Sequence, residues 1–594
     1  MSDNKIVTDA LLGDALAGAP AAVRTFFRSA LRLDDLDRLY ESARELPGDA
    51  VSINILRLLG VRVRVPPEDV GRIPATGAVI IVANHPFGLL DGLIVHALLA
   101  QVRDDVKVLA NDVLARIPGV ADRVFELDVF TGRKAVRANA RAIRAALAWL
   151  EEGRALIVFP SGEVSHWHGL PARSVDPAWG QLPVRFARRA KVPIVPVFFE
   201  GGNSVAFHLS GLVHPLLRTA RLPAELLNKR GAEITVRVGS PILPETLEAW
   251  SDESAATDYV RGRTYLLSHR RPVSANAPKH WKNPIEAANT TAVDLEIARL
   301  DAEAGAVVSN DAYAVYAARG ESIPATLREI GRQRELTFRQ AGEGTGESCD
   351  IDRFDRWYTH LTLWNKRDGR LAGGYRLAWT EDVLPRLGSR GLYTSTLFHF
   401  HREFLARLGS AAELGRSFIC PEYQRDYAPL MLLWQAIARL VLRRPGSPVL
   451  FGPVSISADY GSAARALIVQ FLREHHLKSE LTAYVRPRRK FRTDALRDEE
   501  VQRIARLLRD LDDLDEPIRD MENKPAVPVL LRQYLRLGGK VAAFNLDRRF
   551  SDALDGLIVV DLRQTHPRIL AKYMGAASAQ EFLAAHVGAA RPTP

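Results

Sequence analysis

The chain has 594 residues, which is too long for one ordinary domain and predicts two large domains or three smaller ones. Its hydrophobic fraction of 47% and charged fraction of 25% are typical of globular proteins and exclude a disordered or fibrous chain. The formal net charge of +10 favours anionic partners: phospholipid headgroups, acidic carrier proteins or nucleic acid. Because none of the common nucleic-acid-binding modules is present, we expect no nucleic-acid partner.

Cysteine use and hydropathy indicate the compartment. The two cysteines, Cys349 and Cys420, form neither a metal-binding pattern nor a disulfide framework, so we expect a reducing, cytoplasmic setting and no bound metal. The N-terminus has early acidic residues and no strong apolar core, which argues against a signal peptide. No run reaches the roughly 18 consecutive apolar residues of a membrane-spanning helix. The protein is therefore expected to be soluble or peripheral to a membrane.

The first half changes from a helical pattern to an alternating one. Residues 1–65 are predicted to form a helical segment. Residues 66–268 are predicted to form an α/β domain, because short apolar runs alternate with helical segments there. The predicted strands are 78–83, 106–110, 156–159, 194–199 and 234–238.

One helix of this domain is strongly marked. Its apolar face consists of Val136, Ala140, Ile143, Leu147 and Leu150, at spacings of three and four. A second stripe consists of Arg133, Arg137, Arg141 and Arg144. Such a stripe is typical of a solvated helix face, and contact with a lipid phosphate is the alternative.

The second half is organised separately. Residues 269–308 are predicted to be a linker, because three prolines interrupt the pattern between 270 and 284. Residues 309–594 are predicted to form a second α/β domain. Its predicted strands are 359–364, 373–379, 415–419, 449–451, 539–544 and 557–560, with a helix over 430–442. No internal repeat is found, so the two halves are predicted to have different folds.

A histidine directly follows the first predicted strand, in the run Asn84-His-Pro-Phe-Gly-Leu-Leu-Asp91. Acyl transfer to a hydroxyl needs a base, and neutral imidazole suits this role at cellular pH. Asp91 is then the candidate that fixes the tautomer of His85 and stabilises the imidazolium. Asn84 and Gly88 are expected to contact substrate. The alternative is a histidine that only caps a helix or packs in the core.

A second cluster, Phe159-Pro-Ser-Gly-Glu-Val-Ser165, also follows a predicted strand. Gly162 permits close backbone approach, and the hydroxyl of Ser161 can donate to a phosphate oxygen. Glu163 is suited to bind a headgroup amine or to hold a basic residue. The alternative is an ordinary turn between a strand and a loop.

Together the two clusters resemble the glycerolipid acyltransferase family, which includes the lysophosphatidic acid acyltransferases, over residues 60–250. The resemblance implies that His85 is the general base and that Asp91 orients it. The family has four residues between its His and Asp, whereas this chain has five. The implied mechanism is direct transfer from an acyl thioester, with backbone donors for the oxyanion and no metal or covalent intermediate.

The third motif of the family, Phe-Pro-Glu-Gly-Thr-Arg-Ser, is altered here. Val164 replaces its Arg, and this loss predicts an acceptor other than a glycerol phosphate. Arg133, in Phe130-Thr-Gly-Arg133, occupies the place of the second motif, whose Arg meets phosphate in the family. Residues 192–197 resemble the fourth motif, a buried strand.

The second half carries its polar residues between 352 and 457, including Asp352, Asp355 and His360, then Glu413 and Arg416. Each is most simply explained by a structural ion pair or a solvated side chain. Their order resembles the acyltransferases of ornithine lipid synthesis and the acyl-homoserine-lactone synthases, over residues 310–570. The resemblance implies a GNAT-like fold, with Glu413 and Arg416 as pocket residues. It also implies transfer of a 3-hydroxyacyl group to the α-amine of an amino acid.

The absence of glycine from residues 422–428 bears on the identity of the acyl donor. GNAT proteins that use coenzyme A usually have a glycine-rich turn for its pyrophosphate, and this run contains no glycine. The resemblance therefore favours acyl carrier protein as the donor's carrier, with acyl-coenzyme A as the alternative. No tightly bound cofactor is implied.

The two halves together resemble a bifunctional aminolipid synthase. The C-terminal half would N-acylate an amino acid, and the N-terminal half would esterify the new hydroxyl at the inner face of the cell membrane. One alternative is a lysophospholipid acyltransferase with a non-catalytic or regulatory C-terminal domain. Another is a non-enzymatic protein that binds lipid or carrier protein. The amino acid itself is left open.

Overall fold

The computed structural model describes residues 28–29, 31–47, 50–111, 121–127, 133–168, 173–270, 281–522 and 527–586. The chain forms two compact units, Met1–Arg270 and Arg271–Pro594, each with its own sheet and helices. This confirms the predicted α/β class of both halves. Within the described residues, no helix combines the length and apolarity that crossing a membrane requires.

Within its described residues, the first unit has nine strands. They are β1 Arg62–Arg64, β2 Val79–Ala83, β3 Val106–Asn111, β4 Val124–Leu127, β5 Ala155–Val158, β6 His166–His168, β7 Arg173–Val175, β8 Ile194–Phe199 and β9 Glu233–Val238. Seven form one sheet in the order β1-β9-β8-β2-β5-β3-β4, and β6 pairs with β7 alone. All pairs in the large sheet are parallel except β8 with β9. The five strands predicted from apolar runs are all present. Such runs are typical of strands that are buried on both faces, as β2 and β5 are.

Helices cover this sheet. They are Leu33–Glu45, Val51–Leu59, Pro67–Val70, Leu89–Leu99, Arg133–Glu151, Leu182–Ala190, Val205–Val213, Pro215–Ala220, Leu222–Asn228, Pro244–Glu248 and Glu253–Leu266. The predicted helical segment 1–65 contains the first two, but it ends in β1, which belongs to the sheet of the following residues. Residues 1–27 lie outside the described part of the chain.

The described part of the second unit has ten strands. They are β10 Val308–Ser309, β11 Tyr313–Arg319, β12 Thr359–Asn365, β13 Arg370–Trp379, β14 Phe398–Phe400, β15 Ala411–Ile419, β16 Val449–Ile456, β17 Val485–Pro487, β18 Lys540–Asp547 and β19 Ala553–Asp561. Eight form one sheet in the order β10-β11-β12-β13-β15-β16-β19-β18. The pair β15–β16 is parallel and every other pair in this sheet is antiparallel.

The helices of the second unit are Thr290–Ala304, Pro324–Gln340, Thr380–Leu387, Arg402–Leu408, Ala428–Leu442, Ser462–His475, Ser479–Thr482, Glu499–Leu507, Leu511–Glu522, Val529–Arg536, Pro567–Met574 and Ala576–His586. The first of them lies inside the segment 269–308 that was predicted to be a linker. The prolines end before it, and the side chain of Asn289 accepts from the Ala292 N–H, so the helix can begin there. Residues 271–280 of that segment lie outside the described part.

Candidate functional site

Two loops meet at one edge of the first sheet. β2, β5 and β8 are parallel neighbours, so their carboxyl ends lie at the same edge, where α/β proteins commonly bind ligands. The loop after β2 holds His85, and the loop after β5 holds Ser165. The Ser165 N–H donates to the His85 carbonyl over 2.8 Å. The two clusters found in the sequence are therefore in direct contact.

The predicted pair His85 and Asp91 is assembled. His85 Nδ1 lies 2.9 Å from Asp91 Oδ2, with the His85 side chain 18% exposed and Asp91 fully buried. The imidazole stacks on Phe159, with ring centroids 4.3 Å apart. Since Nδ1 faces Asp91, Nε2 is the nitrogen left for a substrate hydroxyl.

Asp91 is held by the backbone of its own loop. Its Oδ2 accepts from the N–H groups of Phe87 and Gly88, over 2.9 and 3.0 Å. Burial raises the pKa of Asp91, and His85 and these two N–H groups act in the opposite direction. The carboxylate is thus fixed at the first turn of the helix Leu89–Leu99, facing back to the histidine.

Gly88 explains how five intervening residues still bring the pair together. Its φ is +80°, which lets the chain turn back before the helix begins. A Cβ at this position would lie 2.9 Å from Leu222 Cδ2 and 3.3 Å from Val164 Cγ2. The predicted contact of Gly88 with substrate is therefore replaced by a backbone role, with side chains already packed against it.

Replacing Gly88 by alanine is expected to destabilise the first unit by about 1–3 kcal/mol, because it forces an L-residue into a strained conformation. The hold on Asp91 should loosen as well, since the Gly88 N–H donates to its carboxylate. Gly92→Ala, a helix position with open space around it, is the matched control and should be neutral or slightly stabilising. Urea denaturation checks the effect, and equal behaviour of the two variants would contradict this role.

Asn84 has a structural contact instead of the predicted substrate contact. Its Nδ2 donates to the Phe199 carbonyl over 3.0 Å, and its Oδ1 accepts from the Phe199 N–H over 2.7 Å. The side chain is buried. It therefore joins the end of β2 to the end of β8 and has no polar atom directed to solvent.

The second cluster forms an exposed turn. Ser161 Oγ donates to the Glu163 carbonyl over 2.7 Å, and Gly162 has a φ of +65° with nothing close to it. Glu163 Oε2 lies 2.9 Å from Arg218 Nη2. Glu163 thus holds a basic residue, which was one of its two predicted roles.

Two further sequence positions bear on phosphate binding. Val164, at the place of the family's Arg, is buried beside Gly88. Arg133 begins the helix Arg133–Glu151, but its side chain and residues 128–132 lie outside the described part of the chain.

Asp176 is a site residue that the sequence analysis missed. Its Oδ1 accepts from the His85 N–H over 3.1 Å and from the Ser165 hydroxyl, and its Oδ2 accepts from Trp179 Nε1 over 2.9 Å. Its own N–H donates to the Tyr265 hydroxyl over 2.9 Å. This buried carboxylate joins the two loops, and as a single Asp in an irregular segment it left no pattern to detect.

In the second unit, two strands separate. β15 and β16 pair in parallel over only Ala411–Val449, Ala412–Leu450 and Glu413–Phe451. Beyond these pairs β15 stays paired with β13, and β16 with β19. Gly452 lies at the point of separation, where a Cβ would be 2.1 Å from the Leu414 carbonyl oxygen.

Glu413 lies at this point, and its carboxylate already accepts hydrogen bonds from three donors. It accepts from the N–H of Tyr393 over 3.0 Å, from the N–H of Thr394 over 2.7 Å and from the Tyr358 hydroxyl. Burial raises the pKa of Glu413 against these donors. Its predicted pocket role is therefore indirect: it holds the turn at Tyr393.

Arg416 lies further along β15, past the separation. Its guanidinium is 4.8 Å from the ring centroids of Tyr393 and of Phe550, and its Nε lies 2.9 Å from Asp350 Oδ2. Burial would lower the pKa of Arg416, but Asp350, Tyr393 and Asp352 together raise it. Arg416 thus brings a fixed positive charge to the region where β15 and β16 separate.

A buried ionic network supports this region. Arg376 binds both carboxylate oxygens of Asp352, each over 2.9 Å, and Asp355 Oδ1 over 2.7 Å. Arg334 binds both oxygens of Asp355, over 2.9 and 3.0 Å. Burial would raise the pKa of Asp355, but the two arginines hold it well below the usual value. His360, buried beside Asp355, has its pKa lowered by burial to about 4.

Asp555 is a second residue that the sequence analysis missed. It lies on β19 directly opposite Ser455 of β16, so the two side chains share one face of the sheet, beyond the point where β15 and β16 separate. It is buried, and its Oδ2 has no hydrogen-bond partner among the described residues. Burial and the nearby charges of Asp547 and Glu343 raise its pKa well above the ordinary value.

Comparisons with known proteins agree with this division. A family model described as "Acyltransferase" matches residues 12–273, and one described as "Acetyltransferase (GNAT) domain" matches residues 333–435. Glycine N(alpha)-acyltransferase of Bacteroides thetaiotaomicron is 37% identical, covering 27% of this chain and 51% of that protein. The chain thus spans about half the length of this relative.

Two further relatives align over more of their length. Lyso-glycine lipid O-acyltransferase of Bacteroides thetaiotaomicron is 24% identical, covering 42% of this chain and 90% of that protein. L-ornithine N(alpha)-acyltransferase of Rhodobacter capsulatus is 30% identical, covering 40% of this chain and 85% of that protein. The chain therefore combines an N-terminal acyltransferase domain with a C-terminal GNAT domain and belongs to the family that includes this L-ornithine N(alpha)-acyltransferase.

Proposed function

We propose that the chain is a bifunctional acyltransferase that makes an acyloxyacyl aminolipid. The second unit transfers a 3-hydroxyacyl group to the α-amine of an amino acid, and the first unit esterifies the hydroxyl of that acyl chain. The observation that carries the proposal is the His85–Asp91 pair at the end of β2, in a chain that also contains a GNAT domain. The similar proteins named above include enzymes of both the N-acylating and the O-acylating kind.

In the O-acylation step, Nε2 of His85 removes the proton of the acceptor hydroxyl as the oxygen attacks the acyl thioester. Asp91 keeps Nδ1 protonated and stabilises the imidazolium that forms. Asp176 and Gly88 keep the two loops in place. The imidazolium then returns its proton to the leaving thiolate.

An acceptor without phosphate fits this loop. Val164 supplies no charge where the family has an arginine, and Arg218 reaches the same loop from another segment through Glu163. Arg218 is already paired with Glu163 and mostly buried, so it does not replace the family's phosphate-binding arginine. An N-acylated amino acid, whose hydroxyl carries no phosphate, is therefore the acceptor that we propose.

In the N-acylation step, the acyl thioester lies where β15 and β16 separate, and the acceptor amine lies beside Asp555. An amino acid's amine is protonated at cellular pH and must lose a proton before it attacks. A buried carboxylate with a raised pKa suits that transfer. Arg416, which lies in the same region and is paired with Asp350, attracts the carboxylate of the amino acid through its charge.

Acyl carrier protein is the donor we propose for this step. In GNAT enzymes that use coenzyme A, a helix N-terminus binds the pyrophosphate through free N–H groups. Here the helix Ala428–Leu442 begins with the Ala428 N–H donating to Asp426 Oδ1 over 2.9 Å. This carboxylate would repel a pyrophosphate. No tightly bound cofactor takes part in either step. Because the intermediate is amphipathic, we expect the enzyme to act at the inner face of the cell membrane.

The test is expression in a host that lacks aminolipids, followed by lipid mass spectrometry. The wild-type chain should yield an acyloxyacyl aminolipid, and His85→Ala should accumulate the N-acylated lyso product. Asp555→Asn, which keeps the side-chain shape, should yield neither product. A change confined to phospholipids would indicate a lysophospholipid acyltransferase, and the absence of any new lipid would sink the proposal. Assays of the purified chain with 3-hydroxyacyl thioesters of carrier protein and of coenzyme A identify the donor.

A further inference from the structure

The loop after β8 carries a buried side-chain amide that no described residue binds. It belongs to Asn203, which is 9% exposed, and both its Nδ2 and its Oδ1 lack a hydrogen-bond partner among the described residues. Buried polar side-chain atoms are nearly always paired, so two unpaired atoms on one side chain indicate a ligand or an ordered water. A ligand that pairs with both atoms gains affinity, because it satisfies groups that are otherwise left without a hydrogen bond.

This loop lies against the loop that holds His85. β8 and β2 are parallel neighbours, so both loops leave the sheet at the same edge. A Cβ on Gly201, whose φ is +114°, would be 3.0 Å from Cζ of Phe87, two residues after His85. The loop of Asn203 is therefore a wall of the candidate site.

A partly buried ammonium adjoins the same loop. Lys229 Nζ donates to the Gly202 carbonyl over 2.7 Å. An ammonium has three N–H donors, and no carboxylate of the described residues forms an ion pair with this one. Burial lowers the pKa of Lys229, and the charges of Glu225 and Asp91 act in the opposite direction. Lys229 thus brings a positive charge, with donors to spare, to the residue before Asn203.

A serine hydroxyl lies on the other side of Gly202. Ser174 Oγ is buried and has no hydrogen-bond partner among the described residues. A Cβ on Gly202 would be 3.8 Å from this oxygen. Ser174 comes two residues before Asp176, which holds the His85 N–H. The unpaired polar groups and the ammonium are therefore grouped around Gly202, beside the candidate base.

The chemistry of these groups matches an N-acylated amino acid. The carboxamide of Asn203 donates through Nδ2 and accepts through Oδ1, and a secondary amide offers the matching carbonyl and N–H. A glycerol ester has the carbonyl but no N–H. The carboxylate of an N-acyl α-amino acid is separated from its amide nitrogen by a single carbon, so its partner must lie close to the carboxamide. Lys229, bound to the neighbouring Gly202 carbonyl, meets this requirement.

We propose that Asn203 and Lys229 form the subsite for the head of the acceptor: the Asn203 carboxamide pairs with the amide of an N-acyl amino acid, and Lys229 binds its carboxylate. The link of this subsite to O-acylation rests on the proposed function. The subsite selects an amide-linked lipid over a glycerolipid, whereas proton transfer is left to His85.

The test is the binding of ligands that cannot be acylated, measured by isothermal titration calorimetry on the full chain. N-Myristoylglycine has the amide and the carboxylate but no hydroxyl. Two analogues each lack one feature: the carboxymethyl ester of myristic acid has no N–H, and N-ethylmyristamide has no carboxylate. The wild type should bind N-myristoylglycine about tenfold more tightly than either analogue.

Each variant should lose one preference. Asn203→Ala should bind N-myristoylglycine and the ester analogue equally, and Lys229→Ala should no longer distinguish N-myristoylglycine from N-ethylmyristamide. Matched controls are the exposed neighbours of Lys229, in Asn228→Ala and Arg230→Ala, which should behave like the wild type. Because the Asn203 amide is unpaired in the free protein, Asn203→Ala should leave the urea denaturation midpoint unchanged or raise it.

O-acylation should follow the same pattern. The wild type should prefer N-(3-hydroxymyristoyl)glycine to its ester analogue in kcat/KM, and Asn203→Ala should lose this preference. A retained rate with the ester analogue shows that the site of the variant is folded.

An unchanged preference in Asn203→Ala would overturn the proposal. If that variant were also less stable than the wild type, the amide would bind a structural water only. A chain that binds N-myristoylglycine through Asn203 but acylates no lyso-lipid would refute the proposed function and leave the subsite standing.

Discussion

Replacing His85 by alanine is expected to lower the rate of O-acylation by about 10²–10⁴-fold, the usual contribution of a general base. The imidazole nitrogen that would take the hydroxyl proton is lost, whereas the loop remains held by Asp91, Asp176 and the Ser165 N–H. The loss should fall on kcat, with little change in the KM for the acceptor. Steady-state kinetics with a purified lyso-lipid and an acyl thioester measure both constants.

The same chain supplies the control. N-acylation by the second unit should proceed at the wild-type rate in His85→Ala. Asp91→Asn keeps an acceptor for the N–H groups of Phe87 and Gly88, but it places an uncharged group beside Nδ1. It should also lower kcat. An unchanged rate of O-acylation in His85→Ala would show that the base lies elsewhere.

Replacing Asp355 by alanine is expected to destabilise the second unit by about 3–5 kcal/mol, because it leaves two buried arginines without their shared carboxylate. Arg334 and Arg376 are each 1% exposed, so water cannot replace the lost partner. Hydrogen exchange followed by mass spectrometry resolves the two units and should show faster exchange only in peptides of the second.

An exposed ion pair in the same unit gives the matched control. Glu403 and Arg407 are 4.0 Å apart and about half exposed, so Glu403→Ala should cost less than about 1 kcal/mol. Equal exchange in the two variants would refute the structural importance of the buried network.

The same network predicts the effect of acid. His360 has a pKa of about 4 in the folded state, so protonation favours the unfolded chain and stability falls as the pH drops from about 6.5 towards 4. The depressed pKa of Asp355 stabilises the folded state above the unfolded value of about 3.9, and this contribution is lost below it. The denaturation midpoint of the second unit should therefore decrease as the pH drops through each of these two ranges.

Local pattern predicted the strands well because parallel and central strands are buried on both faces and consist of consecutive apolar residues. β11 was missed although most of it is buried. β1 and β4 were missed because each is short and only partly buried. The helix Thr290–Ala304 was not predicted, because the prolines before it make the whole segment resemble a linker. Such elements depend on tertiary partners more than on their own sequence.

The candidate site was predictable where chemistry and chain position coincide. His85 and Asp91 are close in sequence, so their spacing was enough to suggest that they form a pair. Asp176 and Asp555 meet their neighbours only through the fold, and nothing adjacent in sequence marks either of them. Asn84 and Glu413 were identified as polar residues at strand ends, but their partners turned out to be backbone groups, which leave no trace in the side-chain pattern.

The short strand β1 has a consequence for biosynthesis. It pairs with β9, so its hydrogen bonds can form only after Glu233, the partner of Arg62, has been synthesised. At usual rates of translation, roughly 10–30 s separate the appearance of these two residues. The helix Val51–Leu59 finds its partner Leu89–Leu99 early, whereas Leu33–Glu45 also packs against Leu222–Asn228, which is made almost as late as β9. The first unit is thus expected to complete its sheet and this helix packing only late in synthesis.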